Sequence, residues 1–320
     1  MIGFTLEELT LAVQRIESFI KPSPLRYSTW LSKELQAEVF LKLECVQPGG
    51  SFKIRGATNC LLSQKNPPKK IITASGGNHG LGVAIAARRQ NIPCTVVLPL
   101  STPNSKIELL KELGAEIELV GQAWDDANNY ALDQANSSSV LYIHPFADVN
   151  VVLGQGTISS ELLSELNEID VVVGSVGGGG LLTGIALGFE VNQNAIEIHA
   201  VETLGTDSFH QSFQKGEIVE LPAITSIANT LGAKKTVPLI FDDLSRLVSK
   251  SFVVPDKETV EAIDLFLDKE KLLVEPATSC IIASVLQNKK YYKDKRVVLV
   301  ICGSNISLDD LKGWKKQFNL

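Results

Sequence analysis

Short runs of aliphatic and β-branched residues alternate along the chain with longer segments whose apolar positions recur at helical spacing. The runs VFLKLE (39–44), KIITAS (70–75), TVVLP (95–99), EIELV (116–120), VLYIH (140–144), VVVGSV (171–176), IEIHAVE (196–202) and RVVLVICG (296–303) predict strands. Between them GLGVAIAARRQ (80–90), NSKIELLKELG (104–114) and GTISSELLSEL (156–166) predict helices. The N-terminal stretch MIGFTLEELTLAVQRIESFI reads as an amphipathic helix with acidic positions at Glu7, Glu8 and Glu17. Strand-helix alternation of this kind predicts an α/β fold with mostly parallel sheets covered by helices, and ligands are then expected beyond the carboxyl ends of the strands. The stretch 205–247 is weaker in periodicity and predicts a loop-rich region, with Pro222 and Pro238 as breakers. Ser137-Ser138-Ser139 reads as a surface turn, and no repeat is visible.

At 320 residues the chain exceeds what one core usually organises, so two lobes are expected, discontinuous in sequence and changing over near 140–150. Against 36 acidic residues stand 30 basic ones, a net charge of −6, with no stripe of Lys or Arg. Phosphate backbones need clustered positive charge, so no nucleic-acid partner is expected. No run approaches the ~18 apolar residues of a membrane span. The five cysteines, Cys45, Cys60, Cys94, Cys280 and Cys302, form no CxxC pair, which predicts reduced thiols rather than disulfides or a zinc site. An acidic N-terminus is unlike a secretory leader, and the expectation is a mature, cytoplasmic protein.

Four strand ends carry candidate chemistry. In 42–57, KLECVQPGGSFKIRGA, a strand runs into a Pro-Gly-Gly turn, Ser51 stands where a helix cap would be, and Lys53 follows in the first turn. The helix dipole disfavours a positive charge there, which primes a lysine to lose its proton or form an imine, although a solvated lysine fits the local sequence as well. In TASGGNHG (73–80) backbone amides converge with the side chains of Ser75 and Asn78, suiting a carboxylate; a tight turn with a capping residue is the alternative. VGGGGLLTG (176–184) places four glycines before a helix, as a phosphate cradle requires. Counting from Gly178, the last position of G-x-G-x-x-G falls on Thr183, and no Gly-Lys-Ser/Thr follows, so a single phosphate fits better than a dinucleotide or ATP. Cys302-Gly303-Ser304-Asn305 ends the last strand; a buried thiol there is by itself inert packing or a neutral contact for a flat ring.

Taken together and in order, these segments resemble the fold-type II, pyridoxal-phosphate-dependent serine/threonine dehydratases and serine racemases, from about residue 20 to 316. AVETLGTDSFH (200–210), TLGAKKT (230–236), LLVEPA (272–277) and SNISL (304–308) resemble the L-serine dehydratase branch most. The resemblance implies a tryptophan synthase β-like fold: a large domain of 1–41 and 145–320 binding the cofactor phosphate, and a small domain of 42–144. It implies Lys53 as the Schiff-base lysine, Phe52 beside the cofactor ring, and Asn78 near its ring hydroxyl. Gly177, Gly178, Gly179, Gly180 and Leu181 would bind the phosphate, and Cys302 would face the pyridine nitrogen. The closest dehydratases have one more glycine in that last turn. Ser75, Gly76, Asn78 and His79 would line the substrate carboxylate site. A cation site is also implied, with Glu202 as its carboxylate and Gly177, Thr206, Ser208, Leu231 and Ala233 around it. Divalent-metal racemases carry aspartate at 208, so potassium is expected. A homodimer is common in the family.

The implied reaction is β-elimination from L-serine or L-threonine, giving pyruvate or 2-oxobutanoate plus ammonia. Lys53 would remove the α-proton, and the cofactor phosphate would protonate the leaving hydroxyl. Racemisation is the nearest alternative, but racemases carry serine where this chain has Gly76, which offers no acid. The cysteine synthase branch differs by the Ile54-Arg55 that follows the lysine. Another β-hydroxy amino acid, such as 3-hydroxyaspartate or phenylserine, stays open as substrate. A nicotinamide oxidoreductase is a distant alternative, kept by Glu202 beyond the glycine turn. The pocket walls are expected from 121–155 and 205–235.

Overall fold

The computed structural model describes residues 2–136 and 139–320; Ser137 and Ser138 of the serine turn lie outside them. The strands are β1 (Leu25–Tyr27), β2 (Glu38–Lys42), β3 (Lys70–Ala74), β4 (Cys94–Leu98), β5 (Glu116–Leu119), β6 (Val140–Tyr142), β7 (Val171–Ser175), β8 (Glu197–Thr203), β9 (Val248–Val254) and β10 (Arg296–Val300). They form two sheets. One has six strands in the order β1-β2-β10-β7-β8-β9, with β1 alone antiparallel; the other has four parallel strands in the order β5-β4-β3-β6. β4 and β7 are buried along their whole length, as parallel strands covered on both faces must be.

The helices are α1 (Leu6–Ile16), α2 (Thr29–Leu35), α3 (Lys53–Leu62), α4 (Asn78–Arg89), α5 (Asn104–Glu112), α6 (Trp124–Gln134), α7 (Val149–Glu165), α8 (Gly180–Val191), α9 (Ser208–Lys215), α10 (Pro238–Leu247), α11 (Asp256–Glu270), α12 (Pro276–Gln287) and α13 (Leu308–Phe318). α1 starts at a capping box: the Glu8 amide donates to Thr5 Oγ1 at 3.2 Å and the Thr5 amide to Glu8 Oε2 at 2.7 Å. Its Leu9, Ala12 and Ile16 face the core. Among the described residues no helix is long and apolar enough to cross a membrane.

The alternation of elements holds, with corrections at particular residues. Ser51 does not cap α3; it lies in a bridge to Gly303, and Phe52 takes the cap position without a side-chain bond. α7 begins at Val149, well before the glycine at 156, because Asp148 accepts from the Val151 amide and caps it there. The stretch 205–247 contains two helices, and Pro238 opens α10 at its first turn, where its missing N–H costs nothing. β1 and β9 give no alternating signal: β1 has three residues, and much of β9 is only half-buried.

Two features hold the site-bearing segments. α3 packs directly on α7, where a Cβ on Gly154 would lie 2.7 Å from the Arg55 carbonyl oxygen. Beneath that crossing, Arg55 donates to Glu44 at 2.7 Å and to Glu161 at 2.6 Å, and Lys42 pairs with Glu161 at 2.7 Å and Glu165 at 2.9 Å. Burial alone would raise the Glu161 carboxyl, but the two cations hold it below its usual range. This network fastens β2, α3 and α7 together immediately behind Lys53.

Candidate active site

Loops at the carboxyl ends of both sheets converge. After β2 the chain turns through Gly49 and Gly50 and pairs with the segment after β10. The Phe52 amide donates to the Cys302 carbonyl at 3.1 Å and the Ser304 amide to the Gly50 carbonyl at 3.0 Å. Lys53 then opens α3. Its ammonium donates to the Pro145 carbonyl at 2.7 Å and lies 5.2 Å from the Phe52 ring centre. Among the described residues no carboxylate is ion-paired to it. Burial pulls its pKa down to about 8, opposed by the nearby Glu275. At pH 7 that leaves about 300-fold more neutral amine than a solvated lysine has. Lys53 is a half-buried amine that can act as nucleophile or base.

Beyond β7 the tetraglycine turn enters α8. Gly179 has φ +91°, a left-handed conformation that L side chains rarely adopt, and the Phe146 ring lies so close to Gly178 that a β-carbon there would strike it. The Thr183 amide reaches back to the Gly179 carbonyl at 3.0 Å, so the amides of Gly180, Leu181 and Leu182 have no carbonyl inside the helix. Free amides of this kind can receive an anion. α4 has the same feature: the Leu81 amide bonds the Gly77 carbonyl at 3.2 Å, which leaves the Asn78, His79 and Gly80 amides in the same condition. Ser75 Oγ accepts from the Gly77 amide at 3.3 Å and shapes that turn. Gly76 presents no side chain; a β-carbon there would meet Leu98 at 3.3 Å and Thr102 at 3.4 Å.

The His79 side chain is bonded to the backbone after β6. Its Nε2 donates to the Ile143 carbonyl at 2.9 Å, so Nδ1 carries the lone pair, and burial together with Lys53 keeps the ring neutral. His144 is neutral too, with burial and then Lys53 lowering it to about 4, and its Nδ1 accepts from the Phe146 and Ala147 amides at 3.1 and 2.7 Å. Cys302 Sγ lies 3.2 Å from Thr278 Oγ1 and 3.5 Å from Ser175 Oγ. Burial and then Glu275 push this thiol up to about 12, so it stays protonated.

Three participants were not legible as site residues. Pro145 and Phe146 lie between Lys53 and the tetraglycine turn. Glu275, 2% exposed, accepts from Asn78 Nδ2 at 2.8 and 3.1 Å. Its signal was a lone acid in the apolar run LLVEPA, just before a helix-starting proline.

Comparison with known proteins names the chemistry. Residues 16–303 match the family described as pyridoxal-phosphate dependent enzyme. The chain belongs to that family. It is 39% identical to the L-serine dehydratase/L-threonine deaminase of Mus musculus over 322 residues, covering 95% of this chain and 97% of that one. It is 35% identical to the L-threonine ammonia-lyase of Thermotoga maritima over 307 residues, covering 95% and 76%. The solved structure of maize serine racemase superposes with a TM-score of 0.91 at 30% identity, covering 99% of this chain and 98% of that one. Family membership removes the nicotinamide oxidoreductase.

The residues present fit pyridoxal phosphate. A lysine for its aldehyde, a helix N-terminus with free amides for one phosphate, and a neutral thiol and an Asn78 amide for the polar positions of a flat ring are all present. The residues expected around a cation are also brought together. Glu202 is fully buried and accepts from the Phe209 and His210 amides at 3.1 and 2.6 Å; burial raises its pKa well above the usual value. Ser208 Oγ donates to the Ala233 carbonyl at 3.0 Å, and Gly177 packs on Leu231, where a β-carbon would lie 2.9 Å from its Cα. The Thr206 hydroxyl instead joins Thr203 and Ser226 in a buried chain with 2.7 Å links.

Proposed function

We propose that this protein is a pyridoxal-phosphate-dependent ammonia-lyase that eliminates the β-hydroxyl of L-serine and L-threonine. The observation that carries this reading is a half-buried Lys53 with no carboxylate partner among the described residues, near two helix N-termini, one suited to the cofactor phosphate and one to a substrate carboxylate. When bound, the cofactor supplies an electron sink conjugated to the substrate α-carbon. Gly177 to Leu181 hold its phosphate, Phe52 flanks its ring, and Asn78 meets its ring hydroxyl. Cys302 would face the ring nitrogen; a thiol held neutral would not stabilise a protonated ring as a carboxylate does, which would limit charge storage and favour prompt loss of the β-hydroxyl. Ser75, Gly76 and the first-turn amides of Asn78 and His79 orient the substrate carboxylate. Lys53 Nζ, as neutral amine, takes the α-proton. Loss of water leaves an enamine that hydrolyses to the 2-oxo acid and ammonia.

Racemisation needs a second acid on the opposite face of the substrate, and Gly76 has none. The reading extends to a monovalent cation, potassium, held by Glu202 with Gly177, Thr206, Ser208, Leu231 and Ala233. It extends also to a large domain of 1–41 and 145–320, a small domain of 42–144, a homodimer and a cytoplasmic setting. A 2-oxo acid assay across β-hydroxy amino acids, with chiral analysis of residual serine, tests it. The expected result is pyruvate and 2-oxobutanoate with negligible D-serine; D-serine at a rate comparable to pyruvate overturns the ranking.

A further inference from the structure

The amide of Asn78 is held by more than its own helix. Asn305, after β10, donates from Nδ2 to the Gly49 carbonyl at 2.7 Å, and a carbonyl can only accept. That fixes which end of the Asn305 amide is nitrogen. The same nitrogen donates to Asn78 Oδ1 at 2.6 Å, which fixes the Asn78 amide in turn and turns its nitrogen toward Glu275. The Glu275 carboxylate receives donors only: Asn78 Nδ2, Thr230 Oγ1 at 3.1 Å, and the backbone N–H of Asn305 at 3.2 Å. The two hydrogens of Asn78 Nδ2 diverge, so while one faces the carboxylate the other is left for a ligand oxygen. The approach of Asn305 needs Gly50: φ there is +70°, and a β-carbon would lie 2.5 Å from Asn305 Oδ1.

We propose that Glu275 is a positioning residue which, with Asn305, locks the amide of Asn78 so that one N–H is always presented to the ring oxygen of the cofactor. This rests on the assignment of Asn78 to that oxygen. The relay begins at a backbone carbonyl of the turn that carries Lys53 and ends on the residue preceding α12, so it ties the lysine turn, α4 and α12 to one hydrogen-bond polarity. A chain of bonds aligned in this way polarises each member. In either flip, a glutamine at 275 must set an NH2 against an N–H, Asn305's in one orientation and Asn78's in the other. Asn305 is exposed, so its removal spares the core and frees the Asn78 amide to turn over.

The test compares Asn78→Ala, Glu275→Gln and Asn305→Ala by three readouts: cofactor dissociation constant from fluorescence titration, visible absorption of the bound cofactor, and kcat against KM for L-serine. Both relay variants are expected to bind pyridoxal phosphate about tenfold more weakly. Their absorption band should shift in the same direction as that of Asn78→Ala, with kcat falling more than KM rises. Lowered melting temperatures with wild-type cofactor affinity and an unmoved band would make Glu275 merely structural and overturn the proposal. A response in one relay variant without the other overturns it as well, because the lock needs both ends. If Asn78→Ala itself leaves affinity and band unchanged, the Asn78 assignment fails and the relay goes with it.

Discussion

Lys42 ends β2 and Lys53 begins α3, on the two sides of one turn, and the protein surrounds their charges in opposite ways. Lys42 is fully buried yet lies 2.7 Å from Glu161 and 2.9 Å from Glu165, with the Ser23 carbonyl at 2.7 Å. Lys53 has the Pro145 carbonyl and an aromatic ring, and its pKa falls to about 8. Desolvation acts on both; the carboxylates are supplied to one alone. A buried lysine with anionic partners is a fastener, and one without them is a reagent.

The largest expected effect comes from exchanging the reagent. Lys53→Ala should lower 2-oxo acid formation about 10³-fold or more, and borohydride reduction followed by mass spectrometry should find no adduct at position 53. Lys42→Met, in contrast, should cost about 3–5 kcal/mol of stability, because Glu161 and Glu165 lose a buried partner, while the folded fraction still acquires the adduct. A loss of adduct in Lys42→Met at full stability would erase the distinction.

A second effect follows from the lowered pKa. Burial favours the uncharged amine, so the rate at which apoprotein captures pyridoxal phosphate should rise about tenfold per pH unit below 8 and level off above it. An inflection near 10.5, the ordinary lysine value, would mean that Lys53 is solvated.

The smallest effect has the opposite sign to that of Lys42→Met. A group whose folded pKa lies below its unfolded one penalises the native state where it must carry charge, here fully below pH 8 and vanishing as pH approaches 10.5. Apoprotein carrying Lys53→Met should therefore be more stable than wild type at pH 7, by at most about 3 kcal/mol, with the gain disappearing at high pH. Calorimetry at several pH values measures it, and destabilisation at pH 7 would contradict the ranking of the two lysines.

Much of this was legible before any tertiary contact was known, where the signal is local. Four glycines after an apolar strand and a lysine just past a Pro-Gly-Gly turn predict free amides and a first-turn amine, because helix ends and left-handed φ values depend on neighbouring residues alone. Ser51 shows the limit: its type suits a cap, but a bridge to Gly303 holds its backbone extended, and that partner is remote in sequence. Pro238 shows the same ambiguity, since proline both ends helices and starts them. Glu275 carried only the signal of a lone acid in an apolar run, and Asn305 lay in a turn whose sequence assigned it no role; their meaning comes from Asn78 arriving between them.

By itself the sequence determined the alternation of strands and helices, two amide-lined helix starts, and an amine placed where a helix dipole opposes its charge. All of these are set by spacing along the backbone. The fold decided which lysine keeps carboxylate partners and which is left bare, which way the Asn78 amide faces, and that the loops ending two separate sheets share one space. Desolvation and hydrogen-bond polarity arise from atoms distant along the chain, and only packing brings those atoms together.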